Sequence, residues 1–145
     1  MTKAIAVAAV VCGLTVIPLS AQTRKAAPKG TTYDVTINAD GAAHTGTMQL
    51  AVAAGKVSGE MHIKNPSEIT GKAAGVTKAG QMLLDFPYRM VQRACDGRIV
   101  MDIKLPAKPA AAPATGTVSI TGCGRTDANK LSGTIELRAQ KQSQP

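Results

Sequence analysis

Aromatic residues are almost missing from this chain. Its 145 residues include two Tyr, one Phe and no Trp. Proteins that grip single-stranded nucleic acid stack its bases on aromatic side chains. With only Tyr33, Phe86 and Tyr88 to offer, the chain is excluded from that class and no nucleic-acid partner is expected. Acidic residues are scarce as well. Nine Asp and Glu stand against 17 Lys and Arg, a formal net charge of +8. That excess reads as solubility plus attraction to an anionic envelope surface. Catalytic signatures are also missing. There is no Gly-Xaa-Ser-Xaa-Gly elbow, no His-Glu-Xaa-Xaa-His and no phosphate loop. Gly122-Cys123-Gly124 does not continue into a dinucleotide fingerprint. The expectation is a protein that is not an enzyme and carries no cofactor.

Long apolar runs are confined to one place. Met1-Thr2-Lys3 makes a short positive start, Ala4 to Leu19 is almost wholly apolar, and Ser20-Ala21 offers a small-residue exit. This is the pattern of a secretory signal peptide spanning residues 1–21. The run is short for a bilayer and is broken by Gly13 and Pro18, so no stable transmembrane segment is expected in the mature chain. Cys12 leaves with the signal. Its neighbours Val10 and Val11 are not the small residues of a lipoprotein site. Two cysteines then remain, Cys95 and Cys123. An even count in an exported chain predicts a disulfide, in the periplasm or outside the cell.

What the chain does contain is alternation punctuated by glycine. A polar, basic stretch over residues 22–31 reads as a disordered leader, and 140–145 as a disordered tail. Between them, 32–139 form one domain. Eight strand-length runs are expected: 33–38, 43–52, 56–64, 68–77, 81–86, 98–105, 116–123 and 130–139. Asp40-Gly41, Ala54-Gly55 and Ala79-Gly80 supply tight turns. In the fourth run Val76 falls on the parity opposite to Ile69, Gly71 and Ala73, which predicts a bulge near Gly75. Residues 87–97 are expected as a long connection, and the Pro/Ala-rich 106–113 as a spacer. Ser/Thr-Gly-Xaa recurs within the runs, at Gly46, Gly59, Gly71, Gly116, Gly122 and Gly133. Such glycines are the device by which a sheet curves onto itself.

The fold class predicted is therefore all-β, an eight-stranded antiparallel up-and-down meander closing as a small barrel. A β-sandwich is the alternative. In a meander the odd-numbered connections share one end. Cys95 in the fifth and Cys123 beside the seventh thus fall together, within reach of a disulfide. The layout from about Tyr33 to Ala139 resembles the lipocalin-like (calycin) barrels, and that resemblance implies a small apolar ligand.

The richest local segment runs from Pro87 to Arg98. It joins Tyr88, Arg89, Arg93 and Arg98 to a cysteine tether, and is expected as a loop at the barrel mouth. Arginine presents a planar fork suited to carboxylate or phosphate, so these four residues are the candidate ligand-binding set. His44, Met48 and Met61 offer the imidazole and thioether ligands that suit copper. They lack any Met-Xaa-Met or His-Xaa-His spacing, so the methionines read as core fillers and no metal is expected. The functional expectation is an exported, non-catalytic barrel binding a small amphipathic or anionic ligand at one end. The alternative is an envelope-associated structural or interaction protein, with a solidly packed barrel and a basic surface.

Overall fold

A computed structural model of the protein describes residues 30–107 and 112–141. The segment expected as a signal peptide, nearly all of the expected leader and residues 142–145 of the expected tail fall outside the described residues. The strands are β1 (Thr31–Ala39), β2 (Ala42–Ala53), β3 (Lys56–Asn65), β4 (Ile69–Lys78), β5 (Gln81–Met90), β6 (Cys95–Lys104), β7 (Ala114–Gly122) and β8 (Leu131–Ala139). Each pairs antiparallel with the next. β1 also pairs with β8, from Tyr33 opposite Ala139 to Ala39 opposite Gly133, which closes the barrel. The sandwich alternative is thereby set aside.

Three hairpins turn on two residues each. Asp40-Gly41, Ala54-Gly55 and Ala79-Gly80 all have positive φ at both positions, the backbone whose twist matches the flanking strands. Alternation then decides what goes inside. One contiguous apolar cluster fills the interior, with Phe86, Met48, Met61, Ile63, Met101 and Ile103 among its members. No polar or charged residue is buried among the described residues. Lys72, Lys78, Glu60 and Asp102 face outward, so the apolar and polar faces are arranged the opposite way from a membrane-spanning barrel. Among the described residues no helix is long and apolar enough to cross a membrane.

The glycines do what the repeat pattern predicts. At Gly46, Gly59, Gly71, Gly116, Gly122 and Gly133, an added Cβ would sit inside contact distance of the neighbouring strand's backbone. The same holds at Gly75 and Gly97, which lack a preceding Ser or Thr. The neighbouring strand bends in under each glycine, which is how the sheet coils tightly enough to close.

Two expectations about the backbone are corrected. No bulge lies near Gly75: the β3–β4 register is unbroken from Lys56 opposite Val76 to Ile63 opposite Ile69. Val76 simply faces outward, about half exposed, opposite Leu83. The register shift lies in the β2–β3 pair, where Thr45 opposes Asn65 and Gly46 opposes Ile63, so the extra residue is Lys64 on β3. Residues 87–97 are not a long connection either. β5 runs on through Pro87 to Met90, β6 begins at Cys95, and only 91–94 form the loop. Pro87 is tolerated because the β4–β5 ladder lapses there. Pairing stops at Gly71 with Tyr88 and resumes at Ala74 with Asp85, so no partner awaits the missing N–H. Within the Pro/Ala stretch, Pro106 and Pro113 are half-buried, while 108–111 lie outside the described residues.

Candidate functional site

The odd-numbered connections gather at one end, as the meander requires. There the cap consists of the Asp40-Gly41 turn, the β3–β4 loop at Pro66–Glu68, the 91–94 loop and the β7–β8 loop with its short 3₁₀ turn, Asp127–Asn129. Cys95 and Cys123 are disulfide-bonded, with Cα atoms 5.3 Å apart. The bond ties the 91–94 hairpin to the β7–β8 loop. Two backbone bonds reinforce this end: Cys123 N–H donates to Asp96 O at 3.1 Å, and Val91 N–H donates to Glu68 O at 3.4 Å.

Under this cap lies a cavity of about 260 Å³. Every strand contributes a lining residue. Ile37, Ile63, Ile69, Ile99, Ile120 and Leu131 make an apolar floor, with Met90 and Tyr88 from β5 and His44 from β2. Asp40, Arg93 and Arg125 stand at its rim. Arg125 pairs with Asp40 at 3.3 Å. Arg93 makes no ion pair among the described residues. The composition, mostly apolar with a few convergent polar groups, is that of a small-molecule site near the lower end of the usual size range.

Two polar groups of the lining residues are enclosed by protein. The Tyr88 hydroxyl donates to Thr121 O at 3.3 Å. Burial pushes its pKa up, and the charge of Arg125 acts in the opposite direction to a lesser degree. The Nδ1 atom of half-buried His44 is shut off from solvent and has no hydrogen-bond partner among the described residues. Leaving such an atom unpaired costs about 1–3 kcal/mol.

The four candidate binding residues are thus separated by the strand geometry. Tyr88 is almost wholly buried on the inner face of β5, in the cavity wall. Arg93 is at the rim. Arg89 and Arg98 sit on the outer wall, since they share the outward parity of Asp85 and Asp96. Arg89 pairs with Asp96 at 3.3 Å, and Arg98 holds Asp85 through two bonds of 2.6 Å. Hydrogen bonding to Arg98 holds the Asp85 carboxyl below its ordinary value; desolvation works the other way, and the guanidinium charge adds to the lowering. Neither arginine lines the cavity.

Arg125, Asp40 and His44 belong to the mouth but were not among the candidates. The shared end of the first and seventh connections could have grouped Asp40 with Arg125. Nothing in the sequence marks His44 as unpaired. Met48 and Met61 are packed in the core, whereas His44 lines the mouth. Among the described residues no group of three or more His, Cys, Asp or Glu side chains is placed to hold an ion.

A second depression, of about 370 Å³, lies at the opposite end between Tyr33, Leu105, Ala114 and Leu137. Its described lining carries no charged side chain, so it offers nothing to an ionic headgroup. Comparison of the chain with known protein families, with curated proteins and with solved structures finds no match.

Proposed function

We propose that this protein is an exported, non-catalytic barrel that binds a small amphipathic anion at the disulfide-tied mouth. The single observation that carries the reading is the cavity itself: a lining drawn from all eight strands with an apolar floor, and two arginines on its rim. An apolar body buried on that floor is stabilised by about 25 cal/mol per Å² removed from water. A negative head near Arg93 and Arg125 gains Coulomb attraction in a site half shielded from solvent. The lipocalin-like layout accords with this use of a barrel end. Export is supported by the N-terminal apolar run and by the disulfide, a bond that persists in oxidising compartments.

The competing reading is an envelope-associated protein with a basic surface and a solid barrel, supported by the apolar cluster that fills the middle of the molecule. Native mass spectrometry against a panel of amphipathic anions, on wild type and on Arg93→Ala with Arg125→Ala, separates the two. The binding reading expects a one-to-one adduct in the wild type that the double variant loses while remaining folded. Under the surface reading no discrete adduct forms, and adhesion to anionic vesicles falls in proportion to charge and to added salt.

A further inference from the structure

We propose that the end of the barrel opposite the mouth docks on an anionic lipid bilayer, its apolar turn tips entering the interface and its rim of lysines meeting the headgroups. This goes beyond ligand binding at the mouth and does not depend on it.

The even-numbered connections and the exit from β8 share this end. Each brings a lysine: Lys56 opens β3, Lys78 closes β4, Lys104 closes β6 and Lys141 follows β8. Because these strands are spread around the closed sheet, the lysines are spread around the rim. All four are exposed, and none makes an ion pair among the described residues. The described residues of these connections include no Asp or Glu. The nearest acids lie on the outer wall and are engaged: Asp34 accepts from Gln140, Asp102 from Gln81 and Glu136 from Arg138. The mouth differs, since Asp40, Glu68 and Asp127 stand in its loops. Charge is thus polarised along the barrel axis. The described chain also begins at the lysine end, at Gly30, and the sequence just before it holds Arg24, Lys25 and Lys29.

The turn tips are the second observation. Ala54 and Ala79 each have φ of 50° at the first position of a two-residue turn. Asn and Asp suit that conformation, and alanine does not. The hairpin at the mouth uses the favoured solution, with Asp40 at φ 55°. Both hairpins at the other end carry a methyl instead, and a backbone held against its preference points to function. Beside them Val52 is 53% exposed, and Ala53, Ala107 and Ala112 are exposed too. The uncharged depression lined by Leu105, Ala107 and Ala112 lies at this same end. A hydrophilic polyanion would need only the lysines. A bilayer uses both features: its acyl boundary takes the apolar tips and its phosphates take the ammonium groups. Each lysine close to an anionic surface strengthens binding about fivefold. Docked this way, the molecule keeps its mouth open to solvent.

The test uses the full mature protein and co-sedimentation with vesicles of phosphatidylcholine, with or without phosphatidylglycerol. Binding is expected to the anionic vesicles only. Lys56→Gln with Lys78→Gln and Lys104→Gln is expected to weaken it roughly a hundredfold. Lys64→Gln with Lys72→Gln and Lys130→Gln removes the same charge nearer the mouth. That triple should cost less than about threefold, because its groups lie beyond the screening distance of about 8–10 Å from the bilayer. Ala54→Asp with Ala79→Asp copies the Asp40-Gly41 turn, so thermal melts should be unchanged or higher, yet binding should fall about 25-fold. A gadolinium-bearing lipid should broaden the Ala54 and Ala79 methyl signals and leave Ala94, in the mouth loop, sharp. Absence of binding to anionic vesicles overturns the inference. Equal weakening by the two lysine triples, or broadening at Ala94 as strong as at Ala54, also overturns it, since both mean diffuse adhesion of a basic surface. Soluble polyglutamate bound as tightly as the vesicles would replace the bilayer with a polyanion. None of these results bears on the mouth cavity, which the panel of amphipathic anions tests separately.

Discussion

Gly133 shows how tightly single positions are constrained. It faces inward on β8, where a Cβ would run into the carbonyl oxygen of Asn38 and come within 2.9 Å of Ala39 Cβ. The obstruction includes backbone, so no rotamer change relieves it. Gly133→Val is expected to destabilise by about 1–3 kcal/mol, the usual cost of overpacking. Thr134→Val, one residue along on the outer face, should change stability by less than about 0.5 kcal/mol. Chemical denaturation of both variants checks this, and equal tolerance would contradict the curvature role. Asp85 makes a second residue-scale case. Its carboxyl is held below its ordinary value by Arg98, so the folded state binds its proton less readily than the unfolded chain does. The stability this linkage adds is present above the unfolded value, near pH 4, and is lost as the pH falls through the lowered folded value. Both side chains are well exposed, which keeps the contribution small. Arg98→Gln is expected to raise the Asp85 titration toward its ordinary value, read by carboxyl NMR. An unchanged titration would show that the bidentate pair does not persist in solution.

At the scale of elements, the disulfide is the main staple. It spans 28 residues and joins the ends of β6 and β7. In the chain-entropy picture, closing a loop of that length stabilises by roughly 3–4 kcal/mol. Cys95→Ser with Cys123→Ser should lower stability by about that amount, measured by urea titration without reductant. The loss should also loosen the mouth, because Cys123 lines it and Cys123 N–H bonds to Asp96 O. Strand number, strand order, the inward residues of most strands and this pairing were all legible in the sequence. Period-2 alternation and two-residue turns are local signals, and a meander needs nothing non-local to set its order. The segment after Phe86 was misread for an equally local reason. Proline ordinarily cannot join an interior strand, and only the three-dimensional ladder reveals the gap between Gly71 and Ala74 that admits Pro87. Once β5 is extended, Tyr88 turns inward and Arg89 outward, so a four-residue loop site becomes one wall residue, one rim residue and two outer ion pairs. The mouth was half legible. Topology placed the odd connections together, but the pairing state of Arg125, Asp40 and His44 depends on distances between loops far apart in the chain.

For the whole molecule, the middle and the ends have different roles. The apolar interior between Met48, Met61, Leu84 and Met101 is filled and supplies stability, whereas the mouth keeps an open floor under a charged rim. A closed barrel also has no free strand edge, so pairing with another chain through backbone hydrogen bonds is blocked along its whole circumference. The binding and surface readings place action at the mouth and at the basic outer wall respectively, and the isoleucines distinguish them. Ile37, Ile63, Ile69, Ile99 and Ile120 line the cavity; Ile103 and Ile135 are buried elsewhere in the barrel. The most direct measurement is methyl NMR of the isoleucine-labelled protein during titration with octanoate. Saturable shifts are expected at Ile63, Ile69, Ile99 and Ile120, with Ile103 and Ile135 unmoved. Isoleucine methyls that stay still while only the outward lysines and arginines respond, in a salt-sensitive and unsaturable manner, would contradict it.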